Sequence, residues 1–249
     1  MPKPISLYTI QLATTMKKSF TYAIAFFALV SAALPSYGQH LQAAGISGSV
    51  NVARLHTGQQ EFVVGQVSVD PQADQNNDET GNGITVFGRW QLGKAGWYAQ
   101  PEIGYVSTLA TPVGLTYSSY SGPYAGSRIR HLDARLLGGY QSGPLRLFAG
   151  PSIGRFLSSP TATRDATDPI VKEVIEAIDA PPATVQVAIQ AGTGISIWRL
   201  DLNARYEWGL TSYSQTIRLP QQTYYFNRKL QQLIVEVGFQ LYKRPLQGY

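Results

Sequence analysis

The sequence predicts an all-β fold, an eight-stranded antiparallel up-and-down transmembrane β-barrel with one short helix in an external loop. Three observations carry that expectation. Apolar and polar side chains alternate through eight separate segments, tight turns alternate with long loops between them, and lysine stays off the alternating segments except at their ends. Composition narrows the field first. Of 249 residues only 14% are charged, against about 25% in an ordinary soluble domain, while 44% are hydrophobic and 24 are glycine. With no cysteine, the chain has no disulfide framework, thiolate metal site, cysteine nucleophile or lipidated cysteine.

The first element is a leader. Residues 1–15 precede a more natural start at Met16 and are expected to be a mis-called extension. Met16-Lys17-Lys18 then opens a positive stretch, Phe20 to Val30 is apolar, and Ser31 to Gln39 is rich in small residues, which makes residues 16–38 a secretory signal peptide. Its apolar window falls short of the roughly 20 residues a spanning helix needs. Cleavage is expected after Gly38, with Ser36 three positions before the cut, or else after Ala33. Three of the 20 basic residues (Lys3, Lys17, Lys18) and none of the 15 acids lie before that point, so residues 39–249 form a nearly neutral barrel domain with no reason to bind nucleic acid.

The eight strands follow in order. Ala44, Ile46, Val50 and Val52 oppose Gly45, Ser47, Ser49 and Asn51. Ile84, Val86, Trp90 and Leu92 oppose Thr85, Arg89 and Gln91, with Phe87 breaking the pattern. Trp97, Ala99, Ile103 and Tyr105 oppose Gln100, Glu102 and Gly104; Leu132, Ala134, Leu136 and Tyr140 oppose His131, Asp133, Arg135 and Gly139. Leu145, Leu147, Ala149 and Ile153 oppose Arg146, Gly150, Ser152 and Gly154. Val185 to Ile197, Leu200 to Thr211 and Gln232 to Leu241 repeat the period, the last with Ile234 as its exception. Short connections at 93–96, 141–144 and 198–200 alternate with long ones near 57–82, 110–127, 158–183 and 213–226, the signature of a meander whose two edges are best removed by closure.

Which face points inward is decided by three features. Lys94, Lys172, Lys229 and Lys243, the lysines after the leader, all avoid strand centres, whereas a solvated outer wall would carry many. Glycine and serine crowd the polar face, as a cramped concave bore requires. Aromatics gather at the ends of the apolar faces: Trp90, Trp97, Tyr140, Trp198 and Tyr242 by the short turns, Tyr105, Tyr206, Trp208 and Tyr213 toward the long loops. The apolar face is therefore expected outside, against lipid. Pro101 and Pro151 also fall on it, and bulges are expected there.

The leader, the eight amphipathic strands, the long loops opposite tight turns and the aromatic-ended last strand (Leu233 to Tyr242, then a terminal Tyr249) resemble the small outer-membrane β-barrel family called PorT-like. The resemblance lies in pattern and covers nearly all of residues 39–249. It implies location in the bacterial outer membrane and insertion by the barrel-assembly machinery. No activity or functional residue carries over from it.

The candidate chemistry lies on the inner face. Arg89, Arg135, Arg146 and Arg205 face Glu102, Asp133, Asp201, Glu207 and Glu236, with Gln186, Gln190, Asn203, Gln232 and Gln240 beside them. This nearly balanced set is expected to form a packed polar plug rather than a selective pore, which would favour one sign. His131 and Asp133 share a face and could orient an imidazole for general-base work with Ser127 or Ser152 as nucleophile, but His131 reads inward, away from lipid. His40 and His56 give no metal-ligand spacing with it. In the loop Asp70 to Asn82, Asp74, Asn76 and Asp78 open like a calcium loop, but Glu79 and Thr85 stand where glycine and glutamate are needed. Glu61 to Val69 reads as a projecting hairpin arm.

One helix is expected. Asp168 caps, Pro169 takes the first position, and Ile170, Val171, Val174, Ile175 and Ile178 form a stripe opposite Lys172, Glu173 and Glu176, ending before Pro181-Pro182. That stripe is expected to pack over the barrel mouth or its own loop. Tyr117, Tyr120, Tyr124, Tyr224 and Tyr225 suit either interfacial anchoring or stacking on a glycan or protein. The functional expectation is a non-enzymatic structural or recognition barrel with no cofactor and no metal, partnered by outer-membrane lipid and by extracellular protein or glycan at its loops. The rivals are a lipid-acting enzyme and a narrow solute channel.

Overall fold

A computed structural model describes residues 40–56, 61–70, 79–93, 95–109, 113–117, 120–124, 129–157, 169–179, 185–218 and 223–244. The leader (1–15 and 16–38), Asp74, Asn76, Asp78, Ser127, Asp168 and Pro181-Pro182 lie outside them. Among the described residues thirteen strands and one helix follow in order: β1 (His40–His56), β2 (Phe62–Val64), β3 (Val67–Asp70), β4 (Glu79–Gln91), β5 (Trp97–Thr108), β6 (Val113–Tyr117), β7 (Tyr120–Tyr124), β8 (Ile129–Ser142), β9 (Leu145–Leu157), α1 (Pro169–Asp179), β10 (Gln186–Ile197), β11 (Leu200–Gly209), β12 (Tyr213–Arg218) and β13 (Thr223–Lys243).

Eight of the strands close a barrel. Their order is β1-β4-β5-β8-β9-β10-β11-β13, every pair antiparallel, and β1 completes the ring against β13 from Ala43↔Lys243 to His56↔Lys229. Closure leaves no barrel strand with an unpaired edge, and the sequence expectation of an eight-stranded antiparallel meander holds. Alternation decides the faces as the period of two requires. Val50, Leu147, Val235 and Leu241 on the outer wall are 53–64% exposed, while the inward Arg89, Arg135, Arg146 and Arg205 are 1–2% exposed.

The two prolines behave differently from expectation, because neither makes a bulge. Phe87↔Glu102 and Trp90↔Ala99 keep one register on either side of Pro101, and Arg135↔Ser152 and Gly138↔Ala149 do so around Pro151. Each proline stays in register with its other neighbour, Pro101↔Leu136 and Pro151↔Ile189. A residue's N–H serves one neighbouring strand only, so losing it opens a short gap in one ladder without shifting the chain. The register shifts lie instead on β1, between Ala44 and Gly45 against β13 and between Leu41 and Ala43 against β4.

At the other end from the tight turns the loops fold together. The hairpin arm expected at 61–69 is β2–β3, and it joins β6–β7 in a second sheet of order β2-β3-β6-β7. Gly65 turns the arm with φ of 61°, a left-handed conformation that favours glycine. Helix α1 starts at Pro169 as predicted, and the apolar partners of its stripe come from other loops, its own flanking loop lying outside the described residues. Val171, Val174 and Ile175 pack with Val64, Val67, Val69 and Leu115 into a separate apolar core, with Phe62, Tyr117 and Ile170 at its margin. The sheet from two earlier loops offers the stripe an apolar face to bury against.

Candidate functional site

The bore is the chemically richest part of the molecule, and period-two placement builds it. All nine charged residues expected on the inner wall point inward and are buried. Eight side chains make a closed ring across the barrel. Arg89 Nη2 meets Asp201 Oδ2 at 2.9 Å and Arg89 Nε donates to Gln100 Oε1 at 2.7 Å; Gln100 Nε2 in turn donates to Glu102 Oε1 at 2.7 Å. Arg205 bridges Glu102 Oε2 at 2.7 Å and Glu236 Oε2 at 2.6 Å. Asn203 Nδ2 donates to Glu236 and its Oδ1 accepts from Arg146 Nη2 at 2.7 Å, while Arg146 returns to Asp201 Oδ1 at 3.2 Å. The ring is complete.

Two branches extend toward the long loops. Arg135 leans from Glu102 at 3.4 Å to Asp133 at 2.9 Å, and Asp133 Oδ2 lies 3.3 Å from His131 Nε2. Separately, Glu207 accepts from Gln190, from Ser152 Oγ at 3.2 Å and from Gln232 Nε2 at 2.7 Å, and Asn51 Nδ2 links Gln232 to Thr108. Partners come from strands more than 100 residues apart in sequence, such as Arg89 with Asp201 and Arg205 with Glu102. Removing one charge from such a set strands its neighbours in a poorly solvated space.

The sequence reading did not foresee apolar side chains inside the bore. Tyr98, Leu137 and Phe148 cluster near the short turns, and Ala53 and Leu230 with Ile129 and Phe156 cluster near the long loops. Phe87 and Ile234, the two exceptions to alternation, are buried inward. Parity alone assigns them inside; residue type argues the other way. Glycine on a neighbouring strand makes the room, since a Cβ at Gly139 would stand 2.4 Å from Cζ of Tyr98. Arg89 lies 5.8 Å from the ring centre of Phe87 and 5.4 Å from that of Tyr98, close enough for its guanidinium to stack on both. At the short-turn mouth Gln42 Nε2 donates to Gln141 Oε1 at 3.2 Å, linking β1 to β8 across the barrel.

Of the catalytic candidates, His131 and Asp133 come together, Ser152 bonds elsewhere, and Ser127 lies outside the described residues. His131 faces Asp133 and the ring of Phe156, centroids 5.8 Å apart, deep inside the wall. Ser152 Oγ is engaged by Glu207 rather than by His131. Among the described residues no group of three His, Asp or Glu side chains could hold a metal ion, and no helix is long and apolar enough to cross a membrane.

No protein-family model matches the chain, and no curated protein does. Among solved structures it is similar to Neisserial surface protein A, with 9% identity, a TM-score of 0.46, and 81% of this chain and 99% of that one covered. It is also similar to Ail, the attachment invasion locus protein of Yersinia pestis, with 10% identity, a TM-score of 0.40, and 81% and 100% covered. The outer membrane protease OmpT of Escherichia coli gives 11% identity and a TM-score of 0.25, with 82% and 96% covered. The barrel assignment stands on this chain's own strand pairing.

Proposed function

We propose that this protein is an integral barrel of the bacterial outer membrane, with a structural or recognition role exerted through its folded loops and no catalysis of its own. One observation carries the reading: the wall presents aliphatic side chains outward on every barrel strand, while nine charged side chains of those strands are turned in and buried and the other charges lie toward the strand ends. Water outside would reverse that distribution. The wall ends in Trp97, Tyr140, Trp198 and Tyr242 beside the short turns, exposed as interfacial anchors would be, with Trp97 and Tyr140 in edge contact at 5.3 Å. Lipid is thus the first partner, the assembly machinery implied by the PorT-like resemblance the second, and an extracellular protein or glycan at the α1 cap the third.

The test is physical. Detergent extraction should give a band of heat-modifiable gel mobility, and protease on intact cells should cut the long loops. A protein that stays monodisperse in plain buffer overturns the reading in favour of a secreted carrier. The rival with an observation behind it is a lipid-acting enzyme using the His131–Asp133 pair; loss of hydrolysis of a lipid substrate in His131→Ala would support it, and an unchanged phenotype would remove it.

A further inference from the structure

The short-turn mouth of the barrel holds a pocket of about 200 Å³. Arg89, Lys243 and Arg244 line it together with Gln42, Gln141 and Gln240, and no carboxylate does. Arg89 forms its floor as a built group, 1% exposed and stacked against two aromatic rings. Its Nε is committed to Gln100 and its Nη2 to Asp201, which leaves Nη1 for a further acceptor. Asp201 is shared with Arg146, so behind the floor two guanidiniums compensate a single carboxylate. Lys243 and Arg244 thus add two cations at the mouth of a ring whose own charges balance.

We propose that this pocket binds a small phosphate-type oxyanion entering from the aqueous space at the short-turn end. Charge supports it: three cations and no carboxylate line a recess with reduced access to water. Donor type supports it as well, because Arg89 and Arg244 offer directional N–H groups and Lys243 a mobile point charge, the combination that suits phosphate. Size sets the limit. About 200 Å³ is below the 300–1,000 Å³ usual for a drug-sized ligand and fits an oxyanion with few further atoms. Lys243 Nζ donates to the carbonyl of Trp198, whose φ of 53° places this non-glycine turn residue in the left-handed region, so the lysine is held at the rim by the turn. Arg244 is held by its backbone N–H on Gln42 O at 2.9 Å. The source is taken as a solute because the floor faces the bore, away from the lipid-facing wall.

Calorimetric titration of the full chain in an uncharged maltoside detergent with inorganic phosphate tests it. Saturable binding that weakens with added salt is expected, reduced by about tenfold or more in Lys243→Gln/Arg244→Gln, which leaves the buried ring intact. Heat-modifiable mobility of that variant confirms that it folds. No saturable binding, or equal affinity in the double variant, overturns the proposal. Repeating the titration in bilayer discs of phosphatidylglycerol distinguishes the source: unchanged affinity supports a solute, and loss of phosphate binding there assigns the mouth to lipid headgroups and overturns it.

Discussion

The bore and the α1 cap are two cores in one chain, built on opposite rules. In the bore, Arg205, Glu102, Glu236 and Arg89 are buried and paired, and the wall around them turns its aliphatic side chains outward. In the cap, Val174, Val64, Val69 and Leu115 are buried, while Lys172 and Glu176 lie exposed on the other face of the helix. The cap is organised like a small water-soluble domain, and the bore like its inverse. On the proposed outer-membrane reading, what surrounds each core accounts for the contrast. Lipid rewards an apolar exterior and leaves the polar groups to satisfy one another, whereas water accepts charge and drives valines together.

The sharpest way to break the comparison is to remove a charge from the bore. Glu102→Ala leaves Arg135 and Arg205 without a shared carboxylate, and the loss should be about 3–5 kcal/mol, read as a lowered urea midpoint by gel mobility. Next, Val235→Arg on the outer wall, facing Val50 of β1, should cost about 2–4 kcal/mol in a bilayer. If water lay outside, the same change would be worth within about 0.5 kcal/mol. In the cap, Val174→Ala should loosen the local core by roughly 2 kcal/mol, seen as faster loop proteolysis while the barrel's heat modifiability stays unchanged. The smallest effect belongs to Lys172→Ala, whose exposed pair with Glu176 at 3.9 Å is worth about 0.3 kcal/mol in the same assay. A filled bore also predicts silence in planar bilayer conductance at all potentials, and sustained single-channel steps would contradict the ring of Arg89, Glu102, Arg205 and Asp201.

Much of the barrel was legible because alternation is a local property. Leu200 to Gly209 reads inside and outside without any knowledge of its neighbours, and the structure keeps that parity. Phe87, Tyr98, Leu137 and Phe148 were harder. Their parity put them inside, but only the space opened by Gly139 and Gly238 on facing strands explains how rings fit there. The cap was legible in two parts of three, one of them the hairpin arm at 61–69 that forms β2–β3. The stripe of α1 showed in the sequence, yet Tyr-Ser-Gly-Pro-Tyr at 120–124 has no strand period, and its place as β7 comes from pairing with β6.

Taken alone, the sequence determined which side chains would share a face, where the chain would turn tightly, and that charge would be gathered on one side of the wall, because each of these follows from backbone geometry over a few residues. Tertiary structure alone decided that Arg205 would join Glu102 across 103 residues, that Lys243 and Arg244 would converge on Arg89, and that a helix from one loop would close a sheet from two others. Those choices are set by shear, closure and the competition among apolar faces for burial, and no local pattern records them.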